Sequence, residues 1–304
     1  MTTKRTNTGT LKGLVAAGMR MHYGDKPEKE VKLRILWELK HIIDAGFVDY
    51  YVMAFWIFRH MAQSMKIGAW GRGAMPSSIV CYCLGLTEVD PLRYGLHSAR
   101  FVNEKPPRFQ FDVEMSRFNE FMQGAEEMLD ANKEDVDVDA IRPCLFYNIM
   151  RAAYLSKENQ RPLPENMDDE LARYGLRMPQ TMDLYDYYVR RKADGLWTKG
   201  IPRLNKIIAP TCGLLVFQEQ MLDILRQFFH VDGVEANKIR LSIQRGEEEQ
   251  VEVHKKDLFS SLEDLPESNA ERVWQVLTSN RGAFLKAHAV SCVLASYKYD
   301  IDIK

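Results

Sequence analysis

Apolar residues at Val31, Ile35, Leu36, Leu39, Ile42 and Ile43 recur at the spacing of one helix face, with Pro27 before them and Gly46 after them as start and stop signals. The spacing predicts an amphipathic helix over Glu28 to Ala45. The run Tyr50 to Met65 holds neither Gly nor Pro and predicts a buried helix leading into a short strand or turn. Gly71-Arg72-Gly73-Ala74-Met75-Pro76-Ser77-Ser78 then opens onto the apolar stretch Ile79 to Leu84, the pattern of a loop entering a helix N-terminus. Pro106-Pro107 closes what precedes it, and Arg108 to Met115 alternates apolar and polar positions, the period of a strand with Asp112 and Glu114 on one face. A helix is predicted from Ser116 to Asp130, a second strand-like alternation from Glu134 to Asp139, and another helix from Leu145 to Leu155.

The polar stretch Ser156 to Asp169 reads as a linker, and beyond it helical patterns cover Asp183 to Lys192, Gln218 to Phe229, Ala270 to Leu277 and Phe284 to Tyr297. The expected class is α+β, mostly helical, in two domains, 1–155 and 170–304. The chain's 304 residues and 46% hydrophobic content suffice for a buried core, which excludes a disordered chain. Lys plus Arg number 41 against 42 Asp plus Glu, so a polyanion finds no global positive field and any nucleic-acid surface is local. The five cysteines show no CxxC pairing of a zinc or redox centre. No apolar run has the length of a signal peptide or membrane span, so a cytoplasmic, reducing setting without a membrane partner is expected.

Three groups of residues have chemistry to offer. Gly71 and Gly73 with Ser77 and Ser78 at a helix start present free N–H groups and hydroxyls where the helix dipole favours phosphate; a plain capped helix start has the same pattern. Asp112 and Glu114, two apart on a strand, point the same way and suit one or two Mg2+ ions; a solvated acidic edge strand is the alternative. Asp137 and Asp139 offer a third ligand, or an acidic surface loop. Arg190-Arg191-Lys192, then Lys199, Arg203 and Lys206, then Lys286 with His288, are basic clusters for polyphosphate or DNA, or solvated helix faces.

The order of these elements resembles the polymerase core of the bacterial DNA polymerase III α subunit, the C family of DNA polymerases. The resemblance rests on Glu38-Leu39 with Gly46-Phe47, Gly71-Arg72-Gly73, Ser78 through Tyr82, Leu84-Gly85-Leu86-Thr87, Val89-Asp90-Pro91-Leu92 and Arg100-Phe101-Val102-Asn103. Further on, Pro210-Thr211-Cys212-Gly213 with Phe217-Gln218-Glu219-Gln220, and Phe284 through Ala289, resemble the family's fingers segments.

The resemblance implies a polymerase β-like nucleotidyltransferase palm with a helical fingers-like C-terminal part. It implies Mg2+-dependent, template-directed DNA synthesis on primer-template DNA with deoxynucleoside triphosphates (dNTPs), in company with other replisome proteins. It places Asp112, Glu114 and Asp139 as the catalytic, metal-binding carboxylates, with Asp139 on a third strand. It places Gly71, Arg72, Gly73, Ser77, Ser78, Lys286 and His288 at the nucleotide phosphates, and Arg190, Arg191 and Lys192 on DNA. Departures from the family pattern are Ala74 where a serine follows the glycine, Gln110 at the leading aspartate, Glu114 for the second paired aspartate, and a short span between Glu114 and Asp139 where the family carries a thumb. The favoured expectation is a truncated core of phage or mobile-element type. A catalytically impaired homologue that binds DNA or replisome proteins is the alternative, and a nucleotidyltransferase with another acceptor is a third.

Overall fold

The computed structural model describes residues 7–150, 164–260 and 265–300. The chain forms two units, 1–155 joined by 290–304, and 156–289, so the last segment groups with the first unit rather than the second.

In the first unit, helix α1 (Thr8–Tyr23) meets helix α4 (Ile79–Cys83) at Gly18, where a Cβ atom would lie 1.8 Å from the Cys83 carbonyl oxygen. Only glycine allows that approach. Helix α2 (Lys29–Asp44) buries Val31, Ile35, Leu39 and Ile42 as its periodicity predicts. Leu36 is instead 63% exposed, because the stripe advances by four residues and Glu38 takes a place in the core. Helix α3 (Val48–Arg59) is buried nearly all round and passes into a wider turn, His60–Ser64.

A three-stranded sheet has the order β1 (Ala69–Arg72), β2 (Phe109–Val113), β3 (Leu145–Ile149). Strand β2 is central, antiparallel to β1 and parallel to β3. Phe109, Phe111 and Val113 fill the core side, with Phe109 5.1 Å from the Tyr51 ring and Phe111 stacked 4.9 Å from Phe58. The alternation at 109–113 thus forms the predicted strand, but in the middle of the sheet and not at an edge.

Two expectations are corrected. Leu145 begins a strand, not a helix; a short apolar run has no period to decide between the two, and pairing with β2 decides it. The rest of the helix expected there, 151–155, lies outside the described residues. The alternation before Asp139 forms no strand: Asp137 Oδ1 accepts from Ala140 N at 3.1 Å and caps the short helix α6 (Val138–Ile141). Helix α5 (Phe118–Ala131) forms as predicted ahead of them.

One buried carboxylate fixes the loop that follows β1. Glu38 is fully buried and accepts from Arg34 Nε at 2.8 Å, Ser78 Oγ at 2.7 Å, Val80 N at 3.1 Å and Ile79 N at 3.2 Å. Arg34 also donates to the carbonyls of Ser77 and Leu96. One ion pair therefore ties α2, the 73–78 loop, the start of α4 and the 91–96 turns together.

The second unit contains α7 (Met167–Gly175), α8 (Tyr185–Asp194), α9 (Pro202–Ile208), α10 (Gln218–Phe229), α11 (Gly233–Arg245), α12 (Glu248–Ser260), α13 (Glu267–Thr278) and the start of α14 (Lys286–Asp300). Its core is Leu204, Ile208, Leu222, Leu225, Ile239, Ile243, Val273 and Leu277. The Gln218-Glu219-Gln220 triplet is its junction. Gln220 Oε1 accepts from Val216 N and Phe217 N, its amide donates to Thr211 Oγ1 at 2.7 Å, and Gln218 donates to the Ala283 carbonyl. Glu219 takes the N–H groups of Lys286 at 2.8 Å and Ala287 at 3.1 Å. No single described helix is long and apolar enough to cross a membrane.

Replacing Glu38 by Ala leaves Arg34 and two α4 N–H groups buried without their acceptor. The variant is expected to lose roughly 3–5 kcal/mol of unfolding free energy, the cost of breaking a buried pair from one side. Urea unfolding of Glu38→Ala measures it, and an unchanged midpoint contradicts this account of the fold.

Candidate functional site

One face of the sheet presents Trp70 and Arg72 from β1, Gln110 and Asp112 from β2, and Phe146 and Asn148 from β3, since cross-strand partners share a face. Asp112 stands opposite Trp70 on one side and Asn148 on the other. Its carboxylate is buried and forms an ion pair with Arg72, Nε to Oδ1 at 2.8 Å. Burial pushes the Asp112 carboxyl up to about 6, and the Arg72 guanidinium pulls it back only in part. Glu114 lies just past the end of β2, half-buried, its N–H on the Gly68 carbonyl at 2.8 Å.

Asp139 does not join this face through a third strand. It sits on α6 with its carboxylate 90% exposed, paired to Arg142 Nη1 at 3.1 Å, and Arg142 also binds Glu126 and Asp130. The strand beside Asp112 offers Asn148 instead. Two Mg2+ ions held in a polymerase manner need converging carboxylates. Among the described residues no group of three His, Cys, Asp or Glu is placed to hold a metal ion. Asp112, already neutralised by Arg72, with Asn148 as its neighbour, does not fit that centre, and no step is derived through it. Asn148 is a residue that sequence reasoning passed over; its only signal is the register of β3.

The expected phosphate cradle is filled by the protein's own groups. A Cβ on Gly71 would lie 2.0 Å from the Leu86 carbonyl oxygen, and one on Gly73 would lie 1.9 Å from the Gln110 side-chain oxygen. Gly73 also has φ +71°, the left-handed region that favours glycine. Ser77 and Ser78 are fully buried, and Ser78 together with the α4 N–H groups is committed to Glu38. The two glycines are thus required by packing and Ser78 by an internal anion, while the buried Ser77 hydroxyl has no hydrogen-bond partner among the described residues.

On the first unit's part of α14, Ser291 Oγ accepts from Trp70 Nε1 at 2.7 Å and donates to the Gly71 carbonyl at 2.7 Å. This helix therefore fastens β1 from the side.

In the second unit Lys286 begins α14, whose N-terminus is capped by Glu219, and the His288 ring packs against Phe284 and Tyr174 at 5.6 and 6.5 Å. The basic run on α8 divides. Arg190 is exposed; Arg191 donates to the Gly213 carbonyl at 3.1 Å; Lys192 reaches Asp169 at 2.6 Å. Asp169 also accepts from Arg173 and from the Tyr188 hydroxyl at 2.7 Å, and these donors hold its carboxyl well below the usual carboxylate range. Lys192 is thus a counter-ion of Asp169 and Glu165 within the second unit.

Residues 9–134 match the family described as the bacterial DNA polymerase III alpha NTPase domain, and residues 155–265 match the bacterial DNA polymerase III alpha subunit finger domain. The chain is 35% identical over 116 residues to an error-prone DNA polymerase of Anaeromyxobacter sp. (strain K), covering 37% of this chain and 10% of that one. It is 40% identical over 116 residues to an error-prone DNA polymerase of Cutibacterium acnes (strain DSM 16379 / KPA171202), with the same 37% and 10% coverage. The corresponding protein of Burkholderia mallei (strain ATCC 23344) is 37% identical over 110 residues. The aligned part spans about 10% of the length of these curated relatives.

The raised Asp112 carboxyl has a consequence for stability. A folded-state value near 6 against the ordinary 3.8 means the folded protein holds this proton more tightly, so the contribution is full below pH 3.8 and is lost as pH rises through 6. Asp112→Asn removes that dependence. Between pH 4 and pH 7.5 the wild type is expected to lose about 2 kcal/mol relative to Asp112→Asn, which parallel unfolding curves at the two pH values measure.

Proposed function

We propose a function from the premise that this chain belongs to the bacterial DNA polymerase III α-subunit family, of which it is a partial representative. It serves DNA replication as a polymerase III α-type protein that engages primer-template DNA and dNTPs, without completing phosphoryl transfer from its own carboxylates. This is the impaired-homologue reading, and the Asp112 environment supports it most directly: the buried carboxylate is paired with Arg72, and its strand neighbour is Asn148.

What the protein's own groups do at this face is hold charge in place. Arg72 offsets part of the cost of ionising the buried Asp112, and the Gln110 side chain covers Gly73. A shift of about 1 Å in such a site is enough to cost on the order of 100-fold in rate, so a committed Asp112 weighs heavily against unaided catalysis. Binding is less demanding. DNA contacts rest on local cations such as Arg190, which is exposed on α8, and with near-neutral overall charge the affinity is expected to fall steeply with salt.

Two measurements on the full chain test this. In primer extension with Mg2+ or Mn2+, incorporation is expected to stay at the level of Asp112→Asn. Fluorescence anisotropy with a labelled primer-template is expected to show saturable, salt-sensitive binding. Extension that Asp112→Asn abolishes would restore the active polymerase reading, and absence of primer-template binding would remove the DNA-engaging role.

A further inference from the structure

Helix α2 carries apolar side chains on two faces. One face, Val31, Ile35, Leu39 and Ile42, is buried in the core of the first unit. On the other, Leu33 is 55% and Leu36 63% exposed, and Ile43 is half-buried. A surface helix ordinarily has one apolar stripe, and a second one is the pattern of a helix covered from both sides. The inner face is fixed, because Glu38 and Arg34 lock α2 to the loop at Ser77 and Ser78. The helix therefore cannot turn to bury Leu36.

The spacing of the outer face says what kind of cover it suits. Lys29, Leu33, Leu36, Lys40 and Ile43 follow the alternating four- and three-residue steps of the a and d positions in a coiled-coil seam, over about two heptads. Two seam positions are lysine, and Lys32 flanks them. All three lysines are exposed; Lys40 pairs with Asp44 one turn on, and Lys29 and Lys32 form no ion pair among the described residues. Glu28 and Glu30 lie to either side of the ridge, so no acid of α2 interrupts it. A lysine in a seam weakens pairing in general and selects the partner that sets a carboxylate against it. A second copy of this face would set lysine against lysine. A lipid surface is matched less well, since the ridge is one side chain wide and Lys40 breaks it.

We propose that the outer face of α2 is a docking seam for an acidic amphipathic helix of a protein partner. Apolar side chains of that helix pack on Leu33, Leu36 and Ile43, and its carboxylates meet Lys29, Lys32 and Lys40. The seam is about 21 Å long at the helical rise, so the contact is small and the complex transient. The proposal is independent of the DNA-engaging reading.

The probe is a labelled three-heptad peptide with leucine at a and d and glutamate at e and g, whose like charges oppose self-pairing. Its control has lysine in place of every glutamate. Fluorescence anisotropy with the full chain is expected to show saturable binding of the acidic peptide, with a Kd on the order of 10 μM, and none of the basic one. Leu33→Ser/Leu36→Ser is expected to weaken binding about tenfold or more, and Lys29→Glu/Lys40→Glu to exchange the preference in favour of the basic peptide. Loss of folding does not produce such an exchange. These positions are exposed, so the urea midpoint and primer-template binding of both variants are expected to stay at the wild-type values. The proposal is overturned if the acidic peptide does not saturate, if either variant binds it as the wild type does, or if charge reversal leaves the preference unchanged. It is equally overturned if Leu33→Ser/Leu36→Ser abolishes a self-association seen by sedimentation, which makes a second copy the occupant. Binding of phosphatidylserine vesicles that the same variant loses, with no effect of the acidic peptide on it, overturns it in favour of a lipid surface.

Discussion

A buried carboxylate with four donors holds the first unit in its shape. Leaving Glu38 ionised in the core without partners would cost several kcal/mol, and the structure offsets this with Arg34, the Ser78 hydroxyl and two backbone N–H groups. Two of those donors belong to the first turn of α4, so α2 and α4 can meet in one register only. The Leu86 carbonyl that follows α4 then packs over Gly71, which sets the end of β1 and with it the starting point of Arg72. The second unit repeats the device: the Glu219 carboxylate takes the N–H groups at the start of α14, and Gln220 satisfies the chain leading into α10. In both units a helix N-terminus that could attract an external anion is satisfied by an internal one.

That choice shapes the chemistry left to the sheet. Arg72 leaves β1 with its guanidinium beside Asp112, whose cross-strand neighbour Trp70 is buried and held by Ser291. Coulomb attraction at 2.8 Å in a site of reduced dielectric makes Arg72 a strong competitor for any other cation at that carboxylate. The two cross-strand neighbours of Asp112 are Trp70 and Asn148, and neither adds negative charge. The central charge of the sheet is thus balanced from within.

Much of this architecture was readable before any coordinates. The helical stripe of α2 was legible because four buried residues repeat at the helix period, and β2 because Phe109, Phe111 and Val113 alternate. Strand β3 was not: Leu145 to Ile149 is too short and too apolar to show a period, and its identity comes from hydrogen bonding to β2, a contact made across a long stretch of sequence. Asp139 was misplaced for a related reason, since Asp137 forms a cap and turns an apparent alternation into a helix start. Glu38 was visible as part of a motif, but its burial was not, because a carboxylate in a helical stripe ordinarily faces water. The motifs Gly71-Arg72-Gly73 and Gln218-Glu219-Gln220 were correctly singled out as special. In the fold they pack against Leu86 and Gln110 and hold the start of α14.

Three successive basic residues on α8 show what distinguishes a binding cation from a structural one. Lys192 faces Asp169, a carboxylate that also takes Arg173 and Tyr188, so its charge is balanced within the fold and is lost to any ligand. Arg191, one residue earlier, turns to the opposite surroundings: a carbonyl from Gly213, the neighbouring charge of Lys199, and the lining of an adjoining cavity, which holds no acid. Sequence composition counts these residues alike, and a near-neutral total hides the difference.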